Sequence, residues 1–124
     1  MDPHPLNDLF NPQSIAVIGA SDRPDSVGKL VFSNILNGQY AGQLFPVNKK
    51  HTCVQGYTAY ASVQDIAATI DLAIITTPAE TITEIMTQCG EKGVKIIIII
   101  SAGFSEQGKQ GQQLERKILQ IAHK

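Results

Sequence analysis

The sequence of 124 residues has little that would suit a nucleic-acid partner, a disulfide framework or a membrane span. Its formal net charge is −1, and no basic block is long enough to follow a phosphate backbone, so we expect no nucleic-acid partner. The two cysteines, Cys53 and Cys89, have neither redox-pair nor zinc-site spacing and predict free thiols in a reducing compartment. The longest apolar run, Ile96 to Ile100, is too short to cross a bilayer. Without a targeting segment either, the sequence predicts a cytoplasmic protein with no membrane contact.

The sequence also lacks the residue groups that carry hydrolytic or metal-assisted chemistry. It contains no Ser/His/Asp set, no H-E-x-x-H motif and no close pair of carboxylates. Of its histidines, His4 and His123 lie in the tails and His51 lies in a loop. We therefore expect a chain that binds a ligand and has no catalytic residue and no metal site of its own.

The stretch from Ser14 to Leu36 predicts a strand, a tight loop and a helix. The apolar run Ile15 to Ile18 suits a strand that is covered on both faces. The loop contains Gly19, and a helix start follows, where unpaired backbone N–H groups and the helix dipole favour an anion. Arg23 and Lys29 add positive charge. Gly28 is expected to let a ligand approach the backbone, so that a bulky residue there would abolish binding with little loss of fold.

The remaining pattern alternates strands with helices. Strands are predicted over 43–48, 71–76 and 96–100, with a short one near 52–55. A short helix is predicted after Ser62, capped together with Asp65, and a longer one after Thr77, with Pro78 at its first position and Glu80 completing a capping box. Residues 101–111 are expected to form a loop and residues 112–124 a final helix. The fold class is α/β: a Rossmann-like, three-layer, doubly wound parallel sheet of about five strands.

We expect the chain to divide into an N-terminal arm over 1–12 and one domain over 13–124. Leu6, Leu9 and Phe10 of the arm are expected to pack onto the sheet. A further strand is expected after the last predicted helix, so the chain is interpreted as a fragment of a longer multidomain protein. An unfinished sheet edge also favours a homo-oligomer.

Ligands of open α/β sheets bind beyond the carboxyl ends of the strands, where the strand order reverses. Four segments of small, polar or cationic residues are expected there: 19–29, 47–50, 76–78 and 101–104. A NAD site usually has a carboxylate after the second strand, but here Asn48, Lys49 and Lys50 follow it. Ammonium groups favour a phosphorylated ribose, either the 3′-phosphate of coenzyme A (CoA) or the 2′-phosphate of NADP.

Three motifs taken together resemble a known family: V-I-G-A-S-D-R-P-D-S-V-G-K, F-P-V-N-K-K and I-I-I-I-I-S-A-G-F-S-E. In this order they resemble the CoA-binding domain of NDP-forming (ADP-forming) acyl-CoA synthetases. That domain is similar to the CoA-binding part of succinyl-CoA synthetase alpha subunits, and it also begins a group of large protein acetyltransferases. The resemblance covers about Leu9 to Glu106. It implies that CoA or acyl-CoA is the ligand, that adenine nucleotides could use the same site, and that ligase and ATP-binding domains are partners.

Carried over position by position, the resemblance implies a cofactor site in four parts. The loop and the segment against the diphosphate are Gly19, Ala20, Ser21, Ser26, Val27, Gly28 and Lys29. The adenosine side is Val47, Asn48 and either Lys49 or Lys50, and the pantetheine arm passes Thr76, Thr77, Pro78, Ser101, Ala102 and Gly103.

Other functions remain open at this point. The same lysines suit a NADP-binding domain of an oxidoreductase, although the loop after Gly19 lacks the second glycine of the G-x-G-x-x-G fingerprint. A regulatory module that senses CoA or adenine nucleotides, or a scaffold that binds nothing, would have the same composition. The acyl group and the choice between a ligase and an acetyltransferase are not encoded in these motifs.

Overall fold

The computed structural model describes residues 12–104 and 112–120, and its centre is a five-stranded sheet of order β2-β1-β5-β6-β7. Strands β2, β1, β5 and β6 run parallel, whereas β7 pairs antiparallel with β6. A small hairpin, β3 and β4, lies outside the sheet. The strands are β1 Ser14–Ile18, β2 Gln43–Val47, β3 Cys53–Val54, β4 Tyr57–Thr58, β5 Leu72–Ile75, β6 Ile96–Phe104 and β7 Gln112–Gln120, and the α-helices are α1 Val27–Asn37 and α2 Ile82–Lys92.

Two helices cover opposite faces of the sheet and give three layers, as predicted. Successive residues of a strand point to opposite faces, and in β1 both faces are apolar. Val17 packs in one core cluster with Phe32 of α1, and Ile18 packs in the other with Ile85 of α2. Phe32 is fully buried, which stabilises the fold by roughly 2–3 kcal/mol relative to an exposed ring. The continuous apolar runs in β1, β5 and β6 are thus explained by burial on two sides.

The predicted second strand is confirmed, and its proline is accommodated because β2 is an edge strand. Pro46 has no N–H to give, and its carbonyl accepts a hydrogen bond of 3.0 Å from the Tyr60 N–H outside the sheet. Asn48, just after β2, donates its N–H to the Tyr60 carbonyl at 2.8 Å. The chain around Tyr60 therefore lines the outer side of β2 at its carboxyl end.

The prediction that Thr77 caps the second long helix was wrong. Pro78 is extended, a single 3₁₀ turn follows over Ala79–Thr81, and α2 begins at Ile82. The Thr77 hydroxyl accepts a hydrogen bond of 2.6 Å from the Thr81 hydroxyl and so is engaged within that turn. The competing structure was the tighter 3₁₀ turn, which often precedes an α-helix. Helix α2 ends at Gly93, whose φ of 90° is left-handed.

The predicted helix over 112–124 was also wrong where the structure describes it. Residues 112–120 form β7, which pairs along its whole length with residues 96–104. Leu114 and Ile118 are four residues apart, and a separation of four fits both one face of a helix and one face of a strand. The antiparallel partner also satisfies the backbone groups along the free edge of β6.

The segment 101–104 was expected to be a loop, but it belongs to β6. Residues 105–111, the predicted arm up to residue 11 with Leu6, Leu9 and Phe10, and residues 121–124 lie outside the described part of the chain. Within the described part, neither helix has the length and apolar character needed to cross a membrane.

Candidate functional site

The strand order reverses between β1 and β5, and the residues that follow these two strands touch each other. The chain passes from β1 outward to β2 and then returns to the other side of β1 as β5. A Cβ on Gly19, just after β1, would lie 2.4 Å from the Thr76 hydroxyl oxygen, just after β5. Gly19 also has a φ of 98°, which favours glycine. Glycine is therefore required here, because the Thr76 and Thr77 side chains already occupy the space that a Cβ would take.

The start of α1 lies beside the loop after β1 and has backbone donors without an acceptor in the described part of the chain. Ser26 caps the helix because its hydroxyl oxygen accepts the Lys29 N–H at 3.1 Å, and its carbonyl accepts the Leu30 N–H. The N–H groups of Val27 and Gly28 have no acceptor among the described residues. Within the predicted segment 26–29, the donors that remain for an anion are therefore those of Val27 and Gly28.

Gly28 has a packing role that was not predicted. A Cβ at this position would lie 1.9 Å from the Gly19 carbonyl oxygen and 3.2 Å from the Ala20 Cα. The helix start is thus packed directly against the backbone of the loop after β1. The expectation that a bulky residue at Gly28 would leave the fold intact is wrong, because the space for any side chain is already filled by backbone.

The loop between Gly19 and α1 is held by short-range hydrogen bonds. The Ser21 hydroxyl accepts the Arg23 N–H at 2.9 Å, and the Arg23 carbonyl accepts both the N–H and the hydroxyl of Ser26. The Arg23 side chain is exposed and that of Lys29 is half-buried. The buried methyl of Ala20 belongs to the core on the α1 side of the sheet. The backbone of this loop is therefore preset by its own hydrogen bonds.

Asn48 was predicted beside the ligand phosphate, and the structure gives its side chain a supporting role. The amide nitrogen donates to the Ala20 carbonyl at 2.9 Å, which joins the loops after β1 and β2. The amide oxygen accepts the N–H groups of Lys50 at 2.7 Å and His51 at 2.9 Å. Asn48 thus folds the chain into a turn that carries the exposed side chains of Lys49 and Lys50 at the carboxyl edge of β2.

The segments predicted along the pantetheine arm reach the same edge of the sheet. The Thr76 hydroxyl donates to the Ile18 carbonyl at 2.9 Å, and this bond fastens the ends of β1 and β5 together. The last residue of β5, Ile75, pairs with Ile99 of β6. Residues 101–103 of β6 therefore extend past the end of β5, on the side of the cleft. The ligand contacts of these segments stay predictions.

One residue that contacts the loop was missed by sequence reasoning. Gln55 lies in the turn of the β3–β4 hairpin, and its side-chain nitrogen donates to the carbonyls of Ser21 at 3.3 Å and Lys29 at 3.4 Å. The hairpin itself was predicted as no more than a short strand near residues 52–55. The dipeptide Gln55-Gly56 between two short strands was the available signal, since a glycine in a two-residue turn is typical of a hairpin.

The titratable groups give little sign of catalytic chemistry. Burial raises the pKa of the Cys89 thiol from 9.0 to about 12, which keeps this thiol protonated and unreactive in the core. Burial, with a smaller contribution from Asp71, also raises the pKa of Tyr40. Both residues lie away from the carboxyl edge of the sheet. In residues 12–104 and 112–120 there is no cluster of side chains that could hold a metal ion.

A shallow depression of about 910 Å³ lies at the opposite, amino edge of the sheet. Its lining includes Ser14 at the start of β1 and Asp71 just before β5. The Asp71 carboxylate accepts the Gln13 N–H at 2.9 Å and pairs with Lys95 at 3.6 Å. A carboxylate there would repel a phosphate, and ligands of parallel sheets bind at the other edge, so we assign the site to the carboxyl edge.

Comparisons with known proteins identify the family of this chain. A family model described as a CoA binding domain matches residues 13–123. The alpha subunit of ADP-forming acetate–CoA ligase II from Pyrococcus furiosus is 46% identical over 119 residues, which is 96% of this chain and 26% of that subunit. The alpha subunit of ligase I from the same organism is 38% identical over 123 residues, 96% of this chain and 27% of that subunit.

Solved structures give the same family. The chain is similar to acetyl-coenzyme A synthetase 1 of Ca. Korarchaeum cryptofilum, solved in complex with phosphate and ADP, with a TM-score of 0.76 and 35% identity. The match covers 83% of this chain and 22% of that one. This chain thus spans about a quarter of the length of the curated relatives that it matches.

Proposed function

The chain belongs to the family of CoA-binding domains, and from this membership we propose that it holds CoA at the carboxyl edge of its sheet. The diphosphate lies against the N–H groups of Val27 and Gly28, and the loop from Gly19 to Ser21 forms the floor beneath it. The 3′-phosphate is neutralised by Lys49 or Lys50. The pantetheine arm passes residues 76–78 and residues 101–103 on its way out.

The observation that carries this proposal is the start of α1, next to the point where the strand order reverses. Ser26 caps this helix, but the N–H groups of Val27 and Gly28 have no acceptor among the described residues. These two N–H groups lie where the helix dipole adds partial positive charge. Beside them, Gly19 has no side chain and its backbone lies directly against Thr76. A diphosphate fits both features, because it needs backbone donors and a close approach to the chain.

Calorimetry on the full chain with CoA, dephospho-CoA, ADP and NADPH tests the proposal. We expect CoA to bind at least tenfold more tightly than dephospho-CoA, because a charge-assisted hydrogen bond contributes about 1.5–3 kcal/mol. We expect ADP to compete for the same site with lower affinity. Tighter binding of NADPH than of CoA would overturn the proposal in favour of an oxidoreductase domain.

The two lysines need their own comparison. Lys49 and Lys50 are each replaced by alanine. The variant that lacks the lysine bound to the 3′-phosphate should lose most of the difference in affinity between CoA and dephospho-CoA. Lys95→Ala is the matched control, because this lysine lies at the amino edge next to Asp71. A preference for CoA that survives both single changes and the double change would show that the 3′-phosphate binds elsewhere.

We further propose that this domain works within an ADP-forming acyl-CoA ligase in the cytoplasm. Its support is the similarity to domains of larger ligase subunits, with matches that span about a quarter of each. In such a protein the domain, over 13–124, would present the CoA thiol to chemistry carried out by other domains, while residues 1–12 form an arm. Co-purification of the full chain with a ligase beta subunit or an ATP-binding domain tests this, and sedimentation measures whether the chain forms a homo-oligomer.

A further inference from the structure

The β3–β4 hairpin has a turn that its sequence does not favour. Its two turn residues, Gln55 and Gly56, have φ values of 50° and 84°, which is the pattern of a type I′ turn. Gly56 adopts a positive φ without strain, but a glutamine in this region is uncommon and costs of order 1 kcal/mol. Something outside the turn must therefore hold Gln55 in place.

The bonds of Gln55 supply that restraint, and all of them reach the loop after β1 or helix α1. Its backbone N–H donates to an Asp22 carboxylate oxygen at 2.9 Å. Its side-chain nitrogen donates to the Ser21 carbonyl at 3.3 Å and the Lys29 carbonyl at 3.4 Å. Its side-chain oxygen accepts the Ser33 hydroxyl at 3.0 Å. One half-buried amide thus touches the loop, the first turn of the helix and the second turn.

The hairpin that carries Gln55 is itself fixed on α1. The Tyr57 ring meets the buried Phe32 ring edge to face, with centroids 5.6 Å apart. Val54, beside Gln55, is 1% exposed and belongs to the core on the α1 side. The hairpin is therefore a rigid base, and the Gln55 amide is a fixed link from it to the loop.

We propose that Gln55 is a positioning residue for the anion site. Its amide sets the distance between the loop carbonyl of Ser21 and the first turn of α1, and so sets how the N–H groups of Val27 and Gly28 face the diphosphate. This inference rests on the proposed CoA site. Because Gln55 acts on the loop of the diphosphate and not on the turn that carries Lys49 and Lys50, its loss should weaken every ligand that contains the diphosphate by a similar factor.

The test compares Gln55→Ala, Gln55→Asn and Gln55→Glu with the wild-type chain. Asparagine tolerates the left-handed turn but is one methylene shorter, so it separates the hydrogen bonds from the strain of the turn. Glutamate keeps the length but places a carboxylate against two carbonyl oxygens. Gln64→Ala is the matched control, since Gln64 is an exposed glutamine whose amide bonds Glu91 on α2.

We expect a 10- to 30-fold loss of affinity for CoA, dephospho-CoA and ADP in the alanine and asparagine variants and a larger loss in the glutamate variant. The ratio of CoA to dephospho-CoA affinity should stay within twofold of wild type, and Gln64→Ala should bind as wild type. A purely structural role would instead lower the unfolding midpoint while leaving the affinities of the folded variants unchanged, and that result would overturn the proposal. An affinity in Gln55→Glu equal to wild type would also overturn it, because the donors would then be dispensable.

Hydrogen exchange of the free protein gives a second measurement that needs no ligand. The amides of residues 21–29 should exchange faster in Gln55→Asn than in wild type, while those of α2 stay unchanged. Unchanged exchange in residues 21–29 would contradict the positioning role even if CoA binding were absent in wild type. Absence of CoA binding in wild type, together with faster exchange in the variant, would overturn the proposed function and leave the link between hairpin and loop established.

Discussion

Replacing Gly28 by alanine gives the sharpest test of how the helix start is built. In an exposed helix the change from glycine to alanine is favourable by up to about 1 kcal/mol, because alanine loses less backbone entropy. At Gly28 the new Cβ would lie 1.9 Å from the Gly19 carbonyl oxygen, and that neighbour is backbone. Helix α1 or the loop would have to move by more than about 1 Å, and overpacking of this kind costs about 1–3 kcal/mol.

The cost of overpacking should exceed the gain in helix propensity, because the atoms next to the new Cβ belong to the backbone and no flexible side chain can move aside. We expect the free energy of unfolding of Gly28→Ala to fall by about 2 kcal/mol, from a cost of about 3 kcal/mol less a propensity gain of about 1 kcal/mol. For a chain of this size the melting temperature should fall by roughly 5–10 °C. Urea and thermal unfolding measure both quantities.

The chain offers a matched control in the other helix. Gly90 lies in α2 and is exposed, and a Cβ there would meet nothing within 4 Å. Gly90→Ala should therefore raise the free energy of unfolding by about 0.5–1 kcal/mol. If Gly28→Ala stabilises the protein as Gly90→Ala does, α1 does not pack as closely against the loop after β1 as described, and the reasoning is refuted. Calorimetry on the folded Gly28→Ala variant should also show weaker CoA binding, since the diphosphate donors move with the helix.

Two further changes test the supports of the site and the core. Asn48→Ala removes a donor to the Ala20 carbonyl and an acceptor for two N–H groups. We expect the free energy of unfolding measured in urea to fall by about 1–3 kcal/mol and CoA binding to weaken. Unchanged values would show that water replaces the side chain. For Cys89, the pKa in the folded protein is raised to about 12 against 9.0, so its stabilising contribution is full below pH 9 and is lost as the pH rises towards 12, by about 1.4 kcal/mol per pH unit. The free energy of unfolding should thus fall more steeply between pH 9 and 10.5 in wild type than in Cys89→Ala, and equal slopes would refute the burial of this thiol.

The fold could be predicted where a single force dominated. The apolar runs of β1 and β5 had one stable solution, a sheet covered on both faces, and both the strands and the layers are confirmed. The predictions failed where two local structures were close in free energy. Residues 79–81 form a 3₁₀ turn before α2, and residues 112–120 form a strand although their spacing also suits a helix.

The location of the site and its ligand contacts stay predictions, whereas the local structure of its segments can be compared with the sequence. The turn at the glycine after β1 and the start of the helix could be predicted from the sequence, because turn and capping residues are local signals. The predicted ligand contacts of Gly28 and Asn48 stay predictions, and the structure shows that both residues also pack and tie the loops, which depends on neighbours distant in sequence. Gln55 was missed for the same reason, since its partners lie 26 and 34 residues away.

The outer border of β2 has a consequence for how the protein behaves at high concentration. A strand from another molecule could join this border only by exchanging hydrogen bonds along it, as happens when proteins assemble into fibrils. Pro46 offers no donor, its carbonyl is already occupied by Tyr60, and the residue after the strand is bonded to Tyr60 as well. The carboxyl end of this border is thereby closed to growth of the sheet, which disfavours recruitment of further copies through β2 even at high concentration.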